Sequence, residues 1–366
     1  MKNAKRLIAF LLVFSMAFAM FSFTGCGKKE EPAPEPQEEP EPEPEPEPEE
    51  VLPDNINYLT GAPLEDGATH TRPAAIVVEN SYDARPQWGM DDPDLPPDII
   101  LEGEVEYQIT RTLWFYDDYT KVPNKVGPMR SARPPFIKFS ELFDAIFVHW
   151  GMSHSYAPYV GADEVFEKDK VDHINEMGNG SFIFGRDDTR DVSLEHTGIL
   201  YGDQLAGAIK DLGFRTEINK DVFSRFRFNE EFVEPSTGDC TTLTFRYSGD
   251  TDTTTWTYLP DEGVYTSKNY ENNVKRDNLI VLFDTTEYVS RDNYYSDGTG
   301  ITYCNYLLTG GKGVYANKGK YQEIQWEIQD GKFTLLTTDG EKLFINPGRA
   351  WIGWGSENHG GEVTTS

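Results

Sequence analysis

The chain has 366 residues, and its 62 acidic side chains outnumber 33 basic ones to give a formal net charge of −29. Because so acidic a protein is repelled by phosphate backbones and by anionic lipid surfaces, nucleic acid and anionic membranes are excluded as general partners. The length exceeds that of a usual single domain and leaves ample sequence to bury a core.

The first 26 residues have the pattern of an export signal. Three basic residues precede an apolar run over 7–23, and Gly25 directly precedes Cys26. The run is shorter than the ~20 residues of a spanning helix, and a Cys after a small residue is typical of bacterial lipoprotein signals. The sequence predicts a signal peptide over 1–26 and a lipid on Cys26 that holds the protein at the extracytoplasmic face of the cell membrane. An uncleaved anchor and a plainly secreted protein are the alternatives.

Residues 27–50 alternate Pro and Glu and offer almost no apolar side chain to bury. Proline fixes φ and like charges repel, so this segment is predicted to be a disordered polyproline-II spacer reaching ~70 Å at about 3.1 Å per residue. The folded part of the protein is therefore expected to stand off from the membrane.

Residues 51–227 have the sequence pattern of an α/β domain. Short continuous apolar runs predict buried strands, whereas Phe136, Phe139 and Phe143 recur at helical spacing after Pro134, which suits the first position of a helix. Gly213 closes a second amphipathic segment. The predicted strands cover 74–80, 98–105, 110–116 and 144–151, and the predicted helices cover 134–143 and 201–213.

Residues 228–355 change to alternating Thr and aromatic runs, which favour β-strands. The pairs Asp330-Gly331 and Asp339-Gly340 are typical of hairpin turns. The predicted fold class is therefore α/β in the α+β sense, with a layered N-terminal domain packed against a mostly antiparallel C-terminal domain. Residues 356–366 are predicted to be a frayed tail. Cys240 and Cys304 form either a disulfide or two buried thiols.

Arginines flank the predicted start of the first helix. Arg130 and Arg133 precede Pro134, and a helix amino terminus offers unpaired N–H groups and a partial positive charge to phosphate, sulfate or carboxylate. Ser131 adds a hydroxyl, and we expect one or both of Arg85 and Arg111 to converge on the same place. The alternative is that these arginines pair with structural carboxylates, for which Glu102, Glu104, Glu106 and Asp144 are the candidates.

Histidines next to carboxylates form a second group. His149 ends an apolar strand, where α/β proteins tend to place ligand groups, and with Asp172 and His196 it could serve a general base or a metal. No HExxH, GxSxG or metal-type Cys spacing is present, so the sequence predicts no cofactor and no metal. Near the end of the chain, Trp351 and Trp354 favour core packing over stacking on sugars.

These residues together resemble the YerB-like lipoprotein family over most of 72–355. The string from Gly127 to Arg133 is the most specific part, and the chain departs from the family around Glu195-His196, where relatives carry Pro-His-Asn. The resemblance implies a lipoprotein with N- and C-terminal family domains in an α/β layered fold, and it supplies no activity. The other motifs that carry it are Arg85-Pro86-Gln87, the acidic residue before Thr110-Arg111, His149 with Gly151 and Ser153, Asp172-His173-Ile174-Asn175, and Asn346-Pro347-Gly348 with Trp351-Ile352.

The leading hypothesis is a lipid-anchored binding protein that recognises an anionic small molecule or a cell-envelope component. Arg130 and Arg133 would make the contact, supported by Arg85 and Arg111. An envelope hydrolase or metal-dependent enzyme built on the histidines is one alternative, and a protein-interaction scaffold that uses the acidic surface is another.

Overall fold

Strand-forming sequence dominates the computed structural model, which describes residues 53, 55–65 and 67–366. The predicted signal peptide, Cys26 and the Pro/Glu linker lie outside the described residues. The described residues form three α-helices, α1 (Pro134–Glu141), α2 (Ala162–Asp169) and α3 (Leu205–Leu212). The strands are β1 (Ala74–Glu79), β2 (Ile99–Glu106), β3 (Ile109–Tyr116), β4 (Ile146–His149), β5 (His173–Asn175), β6 (Phe184–Arg186), β7 (Gly198–Leu200), β8 (Arg227–Phe228), β9 (Gly238–Asp239), β10 (Thr242–Arg246), β11 (Thr253–Leu259), β12 (Val264–Thr266), β13 (Lys275–Arg276), β14 (Asn278–Asp284), β15 (Thr286–Arg291), β16 (Ile301–Tyr306), β17 (Gly311–Asn317), β18 (Lys320–Gln329), β19 (Lys332–Thr337), β20 (Phe344–Ile345), β21 (Ala350–Ser356) and β22 (Glu362–Thr365).

One large mixed sheet runs through both predicted halves of the chain. Its main path has the order β19-β18-β17-β14-β21-β2-β3-β1-β4-β5. Strands β1, β4 and β5 are parallel to one another, and β21 is parallel to both β2 and β14. The C-terminal strand β21 therefore pairs directly with the N-terminal strand β2. The division at residues 227 and 228 stays a prediction.

Both faces of this sheet are covered, which explains why its central strands are continuously apolar. Within β1, Val77 faces a core that includes Phe139 of α1, and Ile76 faces a second core. The second core contains Ile209 of α3 and Trp256 of a smaller sheet of order β13-β12-β11-β10-β22. The predicted α+β class, with a β-rich C-terminal region, is confirmed.

Several finer predictions can be compared with the structure. Trp351 and Trp354 are fully buried in the two cores, as expected for core packing. Within the described residues Cys240 and Cys304 are free, buried thiols. The prediction of a frayed tail over 356–366 is wrong, because β22 pairs antiparallel with β10. In the part of the chain that the structure describes, no helix has the length and apolarity needed to span a membrane.

Candidate functional site

The segment from Gly127 to Arg133 lies at the carboxyl ends of the parallel strands β1 and β4. Arg130 donates its backbone N–H to the carbonyl of Val77 at 3.2 Å, and its own carbonyl accepts from Trp150 at 3.0 Å. Glu79 and His149 close these two strands. Ligand groups in α/β sheets tend to lie at this edge, so the topology itself marks the segment as a candidate site.

The amino terminus of α1 does not offer the expected backbone donors. Pro134 and Pro135 occupy its first two positions and have no N–H. Phe136 and Ile137 both donate to the carbonyl of Arg133, at 3.1 and 3.2 Å. Within these described residues every amide of the first turn is therefore absent or already bonded, and the expectation of an anion held by the helix terminus is corrected.

Arg111 and Arg133 share one buried carboxylate, that of Glu106. Arg133 Nε lies 2.6 Å from Glu106 Oε1, and Arg111 Nη2 lies 3.3 Å from Oε2. Burial alone would raise the pKa of Glu106, but the attraction of Arg133 and then Arg111 holds that pKa below its usual value. Burial lowers the pKa of Arg111 to about 10. The alternative of structural carboxylate pairing therefore describes these two arginines.

Ser131 is also engaged within the fold. Its hydroxyl donates to the carbonyl of Trp150 at 3.1 Å, and its own carbonyl accepts from Arg111 Nη1 at 2.7 Å. Together these bonds fix the backbone of the segment that carries Arg130 and Arg133.

Arg130 has a different environment from Arg133. Its Nη2 forms an ion pair with Glu79 Oε1 at 2.7 Å and donates a hydrogen bond to Glu195 Oε2 at 3.0 Å. Its Nε is buried and has no hydrogen-bond partner among the described residues. Glu195 is 58% exposed, and the hydrogen bond from Arg130 lowers the pKa of Glu195. Arg130 thus holds one buried carboxylate, one exposed carboxylate and one unused donor.

Glu79 connects Arg130 to its surroundings. Oε1 also accepts from the Ser81 hydroxyl at 2.9 Å, and Oε2 lies 2.9 Å from His196 Nδ1. Sequence reasoning missed Glu79, although an acidic residue that ends a buried apolar strand is a usable signal.

A polar cavity of about 410 Å³ adjoins this cluster and contains Arg85. Ser81, which donates to Glu79, is part of its wall. Arg85 Nη2 donates to the carbonyl of Asn80 at 2.8 Å, and Arg85 Nε is buried with no partner in the described part of the chain. Arg85 therefore lies next to the arginine segment, in the cavity, and does not join Arg111 and Arg133. The cavity is lined by Asn80, Ser81, Tyr82, Arg85, Glu102, Gln108, Ile109, Thr110, Tyr247, Asp252, Thr253, Thr254 and Asn269.

Glu102 forms the buried floor of this cavity and is fully engaged. It accepts from Asn80 Nδ2 at 2.5 Å, from Thr110 Oγ1 at 3.1 Å and from Trp351 Nε1 at 3.2 Å. The hydroxyl of Tyr270 also donates to it. A carboxylate with so many donors is a structural element, and among the described residues that line the cavity the buried side-chain atom without a hydrogen-bond partner is Arg85 Nε.

The predicted histidine group does not assemble into one site. His149 is fully buried, with Nδ1 2.6 Å from the carbonyl of Gly151 and Nε2 2.9 Å from His173 Nδ1. Burial lowers the pKa of His149 to about 3, so its imidazole stays neutral. Asp172 pairs with Arg72, and His196 pairs with Glu79. Among the described residues no group of three or more His, Cys, Asp or Glu side chains is arranged to hold a metal ion.

The protein thus has an α+β fold in which the arginine segment, at the carboxyl ends of β1 and β4, lies beside a polar cavity. Residues 59–215 match the domain described as "Protein of unknown function (DUF3048) N-terminal domain", and 241–352 match the corresponding C-terminal domain. The chain belongs to this family, as the sequence resemblance implied.

A curated relative is the Bacillus subtilis (strain 168) protein named "Putative lipoprotein YerB". The two are 29% identical over 302 residues, which cover 80% of this chain and 84% of the relative. The crystal structure of the YerB protein from Bacillus subtilis is similar to this chain with a TM-score of 0.64 at 25% identity, covering 85% of this chain and 99% of that one. The fold is therefore shared over nearly the whole relative.

Proposed function

We propose that this protein is a lipid-anchored, extracytoplasmic binding protein that takes an anionic small molecule into the cavity beside Arg85 and Arg130. The observation that carries the proposal is the pair of guanidinium Nε atoms, one on each arginine, that are buried and lack a hydrogen-bond partner among the described residues. A buried donor without an acceptor costs about 1–3 kcal/mol, and an anionic oxygen at either atom would remove that cost.

The four arginines divide into two roles under this proposal. Arg111 and Arg133 neutralise Glu106 and hold the segment in place. Arg130 is partly exposed, and the exposed carboxylate of Glu195 occupies one of its donors. A surface ion pair of this kind contributes about 0–1 kcal/mol, so a ligand carboxylate or phosphate can replace Glu195 at little cost. Neither Arg130 nor Glu195 lines the cavity, so the ligand would extend from Arg85 to Arg130 and take the place of Glu195 there.

The strongly acidic chain gives such a site selectivity. With a net charge of −29, the protein as a whole repels anions. An anion must therefore gain its affinity from placed, desolvated donors, which favours a small ligand that enters the cavity over one that binds the surface nonspecifically.

The lipid anchor rests on Cys26 and on the name of the relative. Replacing Cys26 with Ala should move the protein from the membrane fraction to the soluble fraction of the producing cells. Retention of the variant in the membrane fraction would instead support an uncleaved anchor.

Titration calorimetry with inorganic phosphate and with citrate at low ionic strength tests the binding site. Wild-type protein should bind at least one of the two, and Arg85→Gln and Arg130→Gln should each weaken that binding by about tenfold, which corresponds to roughly 1.4 kcal/mol. Lys210→Gln, which removes one positive charge from the exposed face of α3, is the matched control and should bind like wild type. Equal weakening in all three variants would show that only the overall charge matters and would refute the site.

A further inference from the structure

We propose that a second, smaller cavity binds a small zwitterion, with the ligand's ammonium group at Asp98 and Asp117 and its carboxylate at Arg349. This cavity has a volume of about 150 Å³ and includes Tyr116 in its wall. The chemical class that fits is an amino acid of glycine or alanine size.

The cavity is separate from the arginine segment. Tyr116 and Asp117 lie at the carboxyl end of β3, where Tyr116 pairs with Ala74 at the start of β1. The arginine segment lies at the other end of β1, beside Glu79. Because β1 has six residues at about 3.3 Å each, the two sites are ~20 Å apart, at opposite ends of this strand.

The negative pole of the cavity is a pair of carboxyl groups. Asp117 is 6% exposed, and its Oδ1 is buried without a partner in the described residues. Its backbone N–H donates to Asp98 Oδ2 at 2.8 Å, which brings the second carboxyl group close. Burial, followed by repulsion from Asp98, raises the pKa of Asp117 to about 8. Asp98 already accepts the backbone N–H of Asp117, and Lys121 and Arg349 also line the cavity, so the acceptor that an ammonium group would use is the unpartnered Oδ1 of Asp117.

The positive pole is formed by two arginines. Arg349 lines the cavity and its Nε is buried, while Arg276, which is not part of the cavity wall, is 1% exposed and has both Nε and Nη2 buried. None of these three nitrogens has a hydrogen-bond partner among the described residues, although both arginines attract the carboxylate of Asp98 electrostatically. Burial, and then the like charge of Arg349, lowers the pKa of Arg276 to about 10. Buried arginines are normally paired, so an entering carboxylate would complete this pole.

The size and polarity of the cavity limit the ligand. A volume of about 150 Å³ corresponds to roughly five water molecules at about 30 Å³ each. The hydroxyl of Tyr116, which is also buried without a partner in the part of the chain described, adds one more polar contact. A ligand with one ammonium and one carboxylate carries no net charge, so its entry leaves the charge balance of the two poles unchanged.

Titration calorimetry with glycine and with alanine at pH 8 tests this inference. Glycine should bind, whereas ethylamine and acetate, which each carry one of the two charged groups, should bind at least about tenfold more weakly. Glycine betaine has no N–H donor and should not bind. Absence of measurable glycine binding, or equal binding of glycine and acetate, would overturn the inference.

Two variants locate the site. Asp117→Asn keeps the shape of the side chain and should abolish glycine binding, as should Arg349→Gln. Because Asp117→Asn removes a buried ionisable group, the variant is expected to remain folded, which circular dichroism checks. Unchanged glycine binding in folded Asp117→Asn would contradict the proposal.

The control separates the two sites. Arg130→Gln should bind glycine like wild type even if it has lost phosphate or citrate binding. A crystal grown with glycine should contain the amino acid between Asp117 and Arg349, and only ordered water there would overturn the inference.

Discussion

Arg130 and Arg133 lie three residues apart on one segment, but their surroundings predict different losses of stability when each is replaced. Arg133→Gln should lower the free energy of unfolding by about 3 kcal/mol, because it leaves the buried Glu106 with Arg111 as its remaining ion-pair partner. Arg130→Gln should cost about 1 kcal/mol or less, since Glu79 keeps Ser81 and His196 and Glu195 is exposed. Urea unfolding measures both values, and equal losses would contradict the division of roles.

The raised pKa of Asp117 makes the free energy of unfolding depend on pH, and it fixes the direction of that dependence. The ordinary value is 3.8 and burial raises it to about 8, so the folded protein keeps a proton that the unfolded chain releases between these values. The free energy of unfolding therefore falls as pH rises through that interval, and this loss is absent in Asp117→Asn. The titratable and charged groups that surround Asp117 in the described residues are Asp94, Asp98, Asp118, Lys121, Tyr116 and Arg349, and the backbone of Tyr58 also donates to its carboxyl group.

Urea midpoints measured at pH 5 and pH 8 check this expectation. Wild type should lose stability relative to Asp117→Asn over that range. A difference between the two proteins that does not change with pH would show that Asp117 titrates near its ordinary value.

At the residue scale the sequence could name the arginines but not their partners. Four acidic residues were candidates, and the choice of Glu106 depends on a register irregularity between Glu104 and Glu106 in β2. Such a bulge re-aims side chains, so strand alternation cannot predict which carboxylate faces Arg133. The burial of Arg85 Nε and Arg130 Nε without a hydrogen-bond partner is a property of the folded surroundings, and a single sequence cannot predict it.

Among the elements, two glycines give a matched pair of tests. A Cβ on Gly127, where φ is +157°, would lie 2.6 Å from the carbonyl oxygen of Gly198. Gly127→Ala should therefore lower the free energy of unfolding by about 1–3 kcal/mol and displace the arginine segment. Gly207 in α3 has open space around its Cβ, so Gly207→Ala should raise stability by about 0.5–1 kcal/mol.

Thermal unfolding of the two glycine variants measures both effects. If Gly127→Ala is as stable as wild type, the close approach to Gly198 is not a constraint on the segment. If Gly207→Ala is destabilised, the space around α3 is not open.

Element prediction succeeded where local signals and burial agree. Pro134 and the spaced phenylalanines predicted α1, and Gly213 marks the end of α3 as expected. The strand β22 was missed because its pattern is half exposed and contains only Val363 as a large apolar residue. Its pairing with β10 is set by tertiary context, which overrides weak local preference.

At the scale of the whole molecule, the shared sheet predicts cooperative unfolding. Strand β2 pairs with β21, and β21 pairs with β14, so separating the two halves would break buried hydrogen bonds and expose the edge of β2. A protein of residues 51–366 should give one calorimetric transition, and residues 51–227 alone should not fold. Two separate transitions, or a folded N-terminal fragment, would contradict this view.

The central claim, that Arg85 and Arg130 hold an anionic ligand while Arg133 supports the fold, can be measured in one spectrum. Arginine Nε–H groups give separate ¹⁵N–¹H signals, which spectra of Arg85→Gln, Arg130→Gln and Arg133→Gln assign. Inorganic phosphate or citrate, whichever binds, should shift the signals of Arg85 and Arg130 and leave that of Arg133, whose Nε already donates to Glu106, unchanged. Signals of Arg85 and Arg130 that do not move at saturating ligand, or a uniform shift of all three, would contradict the account.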